Sequence, residues 1–243
     1  MENRQENDIQ LYCFERGSGA PLIMLHGNGE RSDYFKYQID FFSSSYHVLA
    51  VDTRGHGQSP RGTAPFTLNQ FADDLRDFME KRNLAAAILL GFSDGANIAV
   101  AFALKYPESV RALILNGGNL YPRGLKTYVR IPLEIAYVFN RWLSGRSERA
   151  KRQAELLRLM VREPELDGRT LSAICAPTLV ITGTNDMIKK RHTDLIARSI
   201  PGAKKVILPG DHFIAFRQSQ SFNQAVSVFL EGHDLRKIAG FST

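Results

Sequence analysis

Cysteine is scarce: the 243-residue chain has two, Cys13 and Cys175. That excludes a disulfide framework and a four-cysteine zinc site, and no metal ligands are assigned. A reducing compartment is the simplest expectation, so the chain is read as cytoplasmic. Long apolar runs are missing, none approaching the roughly 18–20 residues of a membrane helix, so no membrane span is expected. The opening M-E-N-R-Q-E-N-D has no apolar core of the kind a secretory leader carries. Internal repeats and low-complexity linkers are absent too. Charge of one sign is in small excess: 31 Lys and Arg against 25 Asp and Glu leave +6. Without a recognisable motif or an aromatic stacking platform, that excess does not imply a nucleic-acid partner. Nothing in the pattern sets an oligomeric state.

Hydrophobic residues make up 44% and charged residues 23% of the chain, which suits a globular domain. Short apolar runs alternate with longer helical patterns. The runs are Ile9–Phe14, Leu22–Leu25, Val48–Val51, Ala87–Leu90, Ala112–Leu115, Thr178–Thr182 and Lys205–Leu208. Most of the later ones are continuously apolar, as strands buried on both faces of a parallel sheet should be. Helices are expected near Arg31–Phe42, Leu68–Arg82, Asp94–Lys105, Lys190–Ser199 and Gln220–Leu230. The alternation predicts a doubly wound α/β sheet. Between Leu115 and Thr178 lie about sixty residues without a strand-like run, too long for a structureless loop. Amphipathic patterns near Pro132–Trp142 and Ser147–Val161 predict a helical insertion there. Residues 119–172 hold 11 Lys and Arg against 6 Asp and Glu, nearly all of the excess charge.

The segment Ile88–Ala99 reads I-L-L-G-F-S-D-G-A-N-I-A. A buried strand runs into G-x-S-x-G and then into a small-residue helix, which projects Ser93 from a strained turn while Gly91 and Gly95 admit close approach. A serine hydroxyl is a weak nucleophile without a base. His212, in L-P-G-D-H-F beyond the last strand-like run, is the best placed of six histidines. Asp186, in V-I-T-G-T-N-D directly after a buried strand, is the acid that would orient it; the loop after the preceding strand, N-G-G-N, has no carboxylate. Asp211, beside His212, reads as a turn or cap carboxylate. The strand-end loop L-H-G-N-G-E aims backbone N–H groups at the site, and the expected oxyanion donors are the amides of Asn28 and Asp94. His26 reads as a brace for that loop. In V-D-T-R-G-H-G-Q-S the glycines read as turn formers and Asp52 with Arg54 as a local ion pair.

Taken together, H-G-N-G, D-x-R-G-H-G-x-S, G-F-S-D-G and G-x-x-D followed by D-H-F resemble the α/β-hydrolase superfamily, over roughly residues 9 to 231. The chain looks like the small bacterial esterase and proline-iminopeptidase-like members. The resemblance implies a mostly parallel sheet of about eight strands, with core segments 1–118 and 173–243 and a helical cap at 119–172. It implies Ser93 as nucleophile, His212 as base, Asp186 as orienting acid, and no cofactor. A serine at that position argues against dehalogenase and epoxide-hydrolase activities, which use Asp there.

The expected activity is therefore a carboxylesterase-like hydrolase acting on a small-molecule acyl substrate. An aminopeptidase-like or C–C bond hydrolase with the same triad is the rival, and a non-catalytic binding protein the remote one. Asp94 leaves two readings open: a carboxylate that holds a substrate amine, or a charge that complements the helix dipole. Tyr128 and Trp142, in the insertion's aromatic cluster, are expected to line the substrate pocket.

Overall fold

The computed structural model describes residues 9–235; the N-terminal octapeptide lies outside them. Seven strands form one sheet in the order β1-β3-β2-β4-β5-β6-β7. They are β1 (Cys13–Arg16), β2 (Ala20–Leu25), β3 (Tyr46–Val51), β4 (Ala87–Phe92), β5 (Val110–Asn116), β6 (Thr178–Gly183) and β7 (Lys204–Leu208). Only β1 runs antiparallel, against β3; the remaining pairings are parallel.

The central strands are apolar without alternation because both faces are covered. Ile23, Leu25, Leu89, Leu113 and Val180 belong to one core. Leu22, Met24, Leu90, Ile114 and Ile181 belong to the other. The first core is closed by α2 (Leu68–Lys81) and α3 (Asp94–Lys105), the second by α1 (Lys36–Phe42) and α8 (Ser219–Glu231). The Thr67 hydroxyl accepts the Gln70 N–H at 3.2 Å and starts α2 as an N-cap.

Three expectations change. The sheet has seven strands among the described residues, not about eight. The Ile9–Phe14 run also enters the sheet late: Ile9 and Leu11 are buried in the core, yet the Tyr12 N–H donates to Ser59 Oγ at 2.8 Å instead of to a strand. The Tyr12 carbonyl accepts the Asp52 N–H at 3.0 Å, so the ladder starts only late in the run while Ile9 and Leu11 are sequestered by packing. Furthermore, the helix expected at Arg31–Phe42 opens with a 3-10 turn, Ser32–Phe35, before α1.

Between β5 and β6 the chain forms α4 (Thr127–Leu143) and α5 (Glu148–Arg162), with 3-10 turns at Pro122–Gly124 and Gly168–Ala173. Tyr137, with Leu133 and Ala136 beside it on α4, packs against Leu157 and Val161 of α5. The remaining helices are α6 (Lys190–Ser199) and the short α7 (Ile214–Arg217). Among the described residues no helix is long and apolar enough to cross a membrane.

Strand order places the site. β2 lies between β3 and β4, so the connections diverge at its carboxyl end and leave a crevice, the place where open α/β sheets bind ligands. The loop after β2 and the turn after β4 meet there, because Leu25 and Gly91 are register partners.

Candidate active site

Ser93 occupies the turn between β4 and α3 with φ 53° and ψ −118°, a region that L residues avoid. Its neighbours make the turn possible. A Cβ on Gly95 would stand 1.9 Å from the Leu25 carbonyl oxygen, and one on Gly91 2.3 Å from that of Gly95. Only glycine lets strand and helix close so tightly. The Ser93 N–H donates to the Asn116 carbonyl at 2.8 Å, tying the turn to the end of β5.

Asp186 follows β6 and His212 follows β7, and their side chains are joined. His212 Nδ1 donates to Asp186 Oδ1 at 2.7 Å, with both side chains almost fully buried. The same carboxylate accepts the Ile188 N–H at 2.9 Å and the Thr182 hydroxyl at 3.0 Å. Burial pushes the Asp186 carboxyl up, but these three donors outweigh it and hold it below the ordinary aspartate value. A carboxylate only accepts, so Nδ1 carries a proton, and in the neutral imidazole Nε2 is then the nitrogen with the lone pair. Nε2 is buried and has no hydrogen-bond partner. The Ser93 hydroxyl is thus not yet bonded to it, a contact that often tightens only with substrate bound.

The loop after β2 is braced from beneath. His26 Nε2 accepts the Thr53 N–H at 3.0 Å, which forces the ring proton onto Nδ1, where it meets the Gly27 carbonyl at 2.7 Å. Burial and the neighbouring His56 drive the His26 pKa down to about 4, so the ring is a neutral strut near pH 7. Asp211 also acts locally, accepting the Phe213 N–H at 2.9 Å and pairing with Arg217.

Asp94 is turned inward. Its carboxylate accepts from Asn28 Nδ2 at 2.8 Å and from Asn97 Nδ2 at 3.2 Å. Burial pushes its pKa up, against the pull of those two amides. The carboxylate considered as an amine ligand is therefore already held by the β2 loop and by α3 itself. Asn28 Nδ2 donates in addition to the Leu156 carbonyl of α5 at 2.8 Å. The backbone amides of Asn28 and Asp94 stay candidates for the oxyanion role, that of Asp94 being an orphan of the first helical turn.

Tyr128 and Trp142, expected at the substrate pocket, lie on an exposed face of α4. They are 69% and 66% exposed, and the surface depression that Trp142 borders, with Glu134, Ile135, Val138 and Phe139, contains none of Ser93, Asp186 and His212. The reason is helical phase. α4 rests on α5 through Leu133, Ala136 and Tyr137, which turns the out-of-phase aromatics away. Arg54 also differs from expectation: its partner is Asp74 of α2, through two bonds of 2.7 Å, fully buried. Asp52 instead accepts the N–H groups of Ser32 and Gln58 at 2.7 and 2.8 Å.

Several residues at the site carried no sequence signal. Gly117, at φ +68°, lies against the imidazole: a Cβ there would fall 2.6 Å from His212 Cε1. Phe92 packs on the His212 ring, centroids 4.9 Å apart, and Tyr34 stacks on Phe92 at 4.4 Å. Glu30 accepts the Gly27 N–H at 3.2 Å, and burial pushes its carboxyl up to about 7. Beside it opens a cleft of about 640 Å³ lined by Glu30, Tyr34, Lys36 and Phe216. Among the described residues no group of three or more His, Cys, Asp and Glu side chains is placed to hold a metal ion.

Known proteins resemble this chain in sequence and in fold. The family model of the alpha/beta hydrolase fold matches residues 20–174. The (E)-2-((N-methylformamido)methylene)succinate hydrolase of Acinetobacter baylyi is 28% identical, covering 93% of this chain and 95% of its own. Serine hydrolase BPHL of Mus musculus is 25% identical, over 93% and 84% of the two chains. Among solved structures, a thermophilic esterase from Thermogutta terrifontis superposes with a TM-score of 0.79 at 22% identity, over 95% and 96% of the chains. The enol-lactonase from Burkholderia xenovorans gives 0.78 at 20% identity, over 93% and 98%.

Proposed function

The chain belongs to the alpha/beta hydrolase fold family, and from that premise we propose that it is a serine hydrolase opening a small carboxylic ester or related acyl bond through an acyl-enzyme. The observation that carries this reading is the buried His212–Asp186 pair, whose imidazole, its Nε2 unpartnered, packs on Phe92, the residue just before the strained Ser93 turn. Ser93 Oγ attacks the acyl carbon while Nε2 takes its proton, and Asp186 balances the imidazolium. The negative charge arriving on the carbonyl oxygen is met by the N–H groups of Asn28 and Asp94. His212 then protonates the leaving group. Water repeats the cycle, giving its proton to Nε2 and releasing the acid and free Ser93.

Ester and amide substrates share this chemistry, and the relatives bear on the choice. The Acinetobacter protein's name specifies a formamido-bearing succinate, which keeps an amide-type or C–C bond in view as a second reading. An aminopeptidase-like activity is less well supported, because the Asp94 carboxylate is already held by Asn28 and Asn97.

Ser93→Ala should lower hydrolysis on the order of a thousandfold or more, His212→Ala about as much, and the pair little more than either. Only an activated serine should label with a fluorophosphonate probe. Retention of most activity in Ser93→Ala would overturn the assignment. A panel of esters of graded chain length, arylamides and amide-bearing diacids separates the substrate readings.

A further inference from the structure

Helix α4 has two apolar faces, and α5 uses one. The other presents Tyr128, Ile131, Ile135, Val138, Phe139 and Trp142. At 100° per residue these six fall within about a third of the helix circumference, opposite Leu133, Ala136 and Tyr137, which face α5. All six are exposed, from 44% at Ile131 to 69% at Tyr128. Apolar side chains scattered singly on a surface are ordinary, but a continuous stripe along a helix of about 25 Å marks a binding face.

Charge identifies the occupant. Residues 126–152 hold seven Lys and Arg against two Asp and Glu. Arg141, Arg146, Arg149, Lys151 and Arg152 are all exposed, at the end of α4 and the start of α5. Arg146 lies over the Trp142 ring at 5.6 Å, joining the cationic rim to the stripe. A second copy meeting this face about a two-fold axis would set like-charged rims against each other. An anionic bilayer complements both features: an apolar face entering the acyl boundary, with aromatic residues at headgroup depth and basic residues on the phosphates. We propose that the outward face of α4 docks the protein, in the plane of the membrane, on a lipid surface rich in anionic headgroups.

The test uses the full chain and vesicles of phosphatidylcholine alone or mixed equally with phosphatidylglycerol. Trp142 is the lone tryptophan, so its emission reports this face directly. It should shift to the blue, and the protein should co-sediment, with the mixed vesicles only, and raised salt should weaken both effects. Ile135→Ser with Val138→Ser should reduce partitioning about tenfold or more. Replacing Arg149, Lys151 and Arg152 by Gln should reduce it on the order of a hundredfold. Circular dichroism and fluorophosphonate labelling check that the variants are folded. Absence of a blue shift and of sedimentation with the wild-type chain would overturn the proposal. So would binding that none of the substitutions changes, or a concentration-dependent dimer that the serine variants abolish in the absence of any vesicle binding.

Discussion

The side-chain amide of Asn28 donates at 2.8 Å to the carboxylate of Asp94, although 66 residues separate them in sequence. These are the two residues whose backbone N–H groups are proposed to meet the oxyanion. Their side chains therefore hold the two halves of the hole in one position. The second Asn28 bond, to the Leu156 carbonyl, makes the same amide the link between this loop and the helical insertion.

Asn28→Ala is expected to lower kcat more than it raises KM, because it loosens an interaction needed mainly in the transition state. It also strips a donor from the buried Asp94 carboxylate, at about 1–3 kcal/mol of stability. Denaturant unfolding and steady-state kinetics on one neutral ester read both effects. Asp94→Asn should affect amino-acid esters and their des-amino analogues alike, since its carboxylate is turned inward. A loss confined to the amino-acid esters would contradict that placement.

Glu30 gives a pH prediction. Burial raises its folded pKa to about 7, above the ordinary glutamate value. A carboxyl raised in this way favours the fold while protonated. Its contribution is complete below the unfolded value and is lost as pH climbs through the folded one. Glu30→Gln keeps a carbonyl for the Gly27 N–H and cannot ionise. The variant should therefore gain stability relative to wild type as pH rises across that window. Paired denaturation curves on either side of it decide, and a pH-independent difference would remove Glu30 as the cause.

Gly117→Ala tests the contact behind the imidazole. The added Cβ would fall 2.6 Å from Cε1 and 2.8 Å from Nδ1 of His212, on a backbone at φ +68°. The ring or the loop must move, and kcat/KM should fall at least tenfold, since small displacements of a catalytic group are costly. Gly145→Ala, with nothing within 4 Å of its new Cβ, is the control and should leave the rate unchanged.

What could be read from the sequence was what neighbours in the chain decide. The Ser93 turn was legible because strand, glycines and helix are contiguous and each has one steric purpose. The strand ends carrying Asp186 and His212 followed from the order of apolar runs, and the structure brings those two side chains together. Relations set by packing were hidden. Asp52 lies two residues from Arg54, whereas the true partner, Asp74, sits across the core on α2. Periodicity marked α4 as amphipathic but could not say which of its two apolar faces α5 would take, nor that Tyr128 and Trp142 would be left exposed. The Asp94 carboxylate looked free because its partners, Asn28 and Asn97, converge only in the fold.

The insertion leaves the sheet after Asn116 and returns at Thr178, on strands that are immediate neighbours, with Leu113 beside Thr178. Both ends are held in place by the parallel pairing of β5 and β6, so a longer or shorter excursion changes the closure entropy only slowly. The register of β5 and β6, and with it the spacing between Gly117 and Asp186, does not depend on what lies between. This stretch is accordingly an exchangeable module: helices could be grafted or trimmed there to retarget the protein while the hydrolytic machinery below stays as it is, provided the new segment still offers Asn28 a carbonyl.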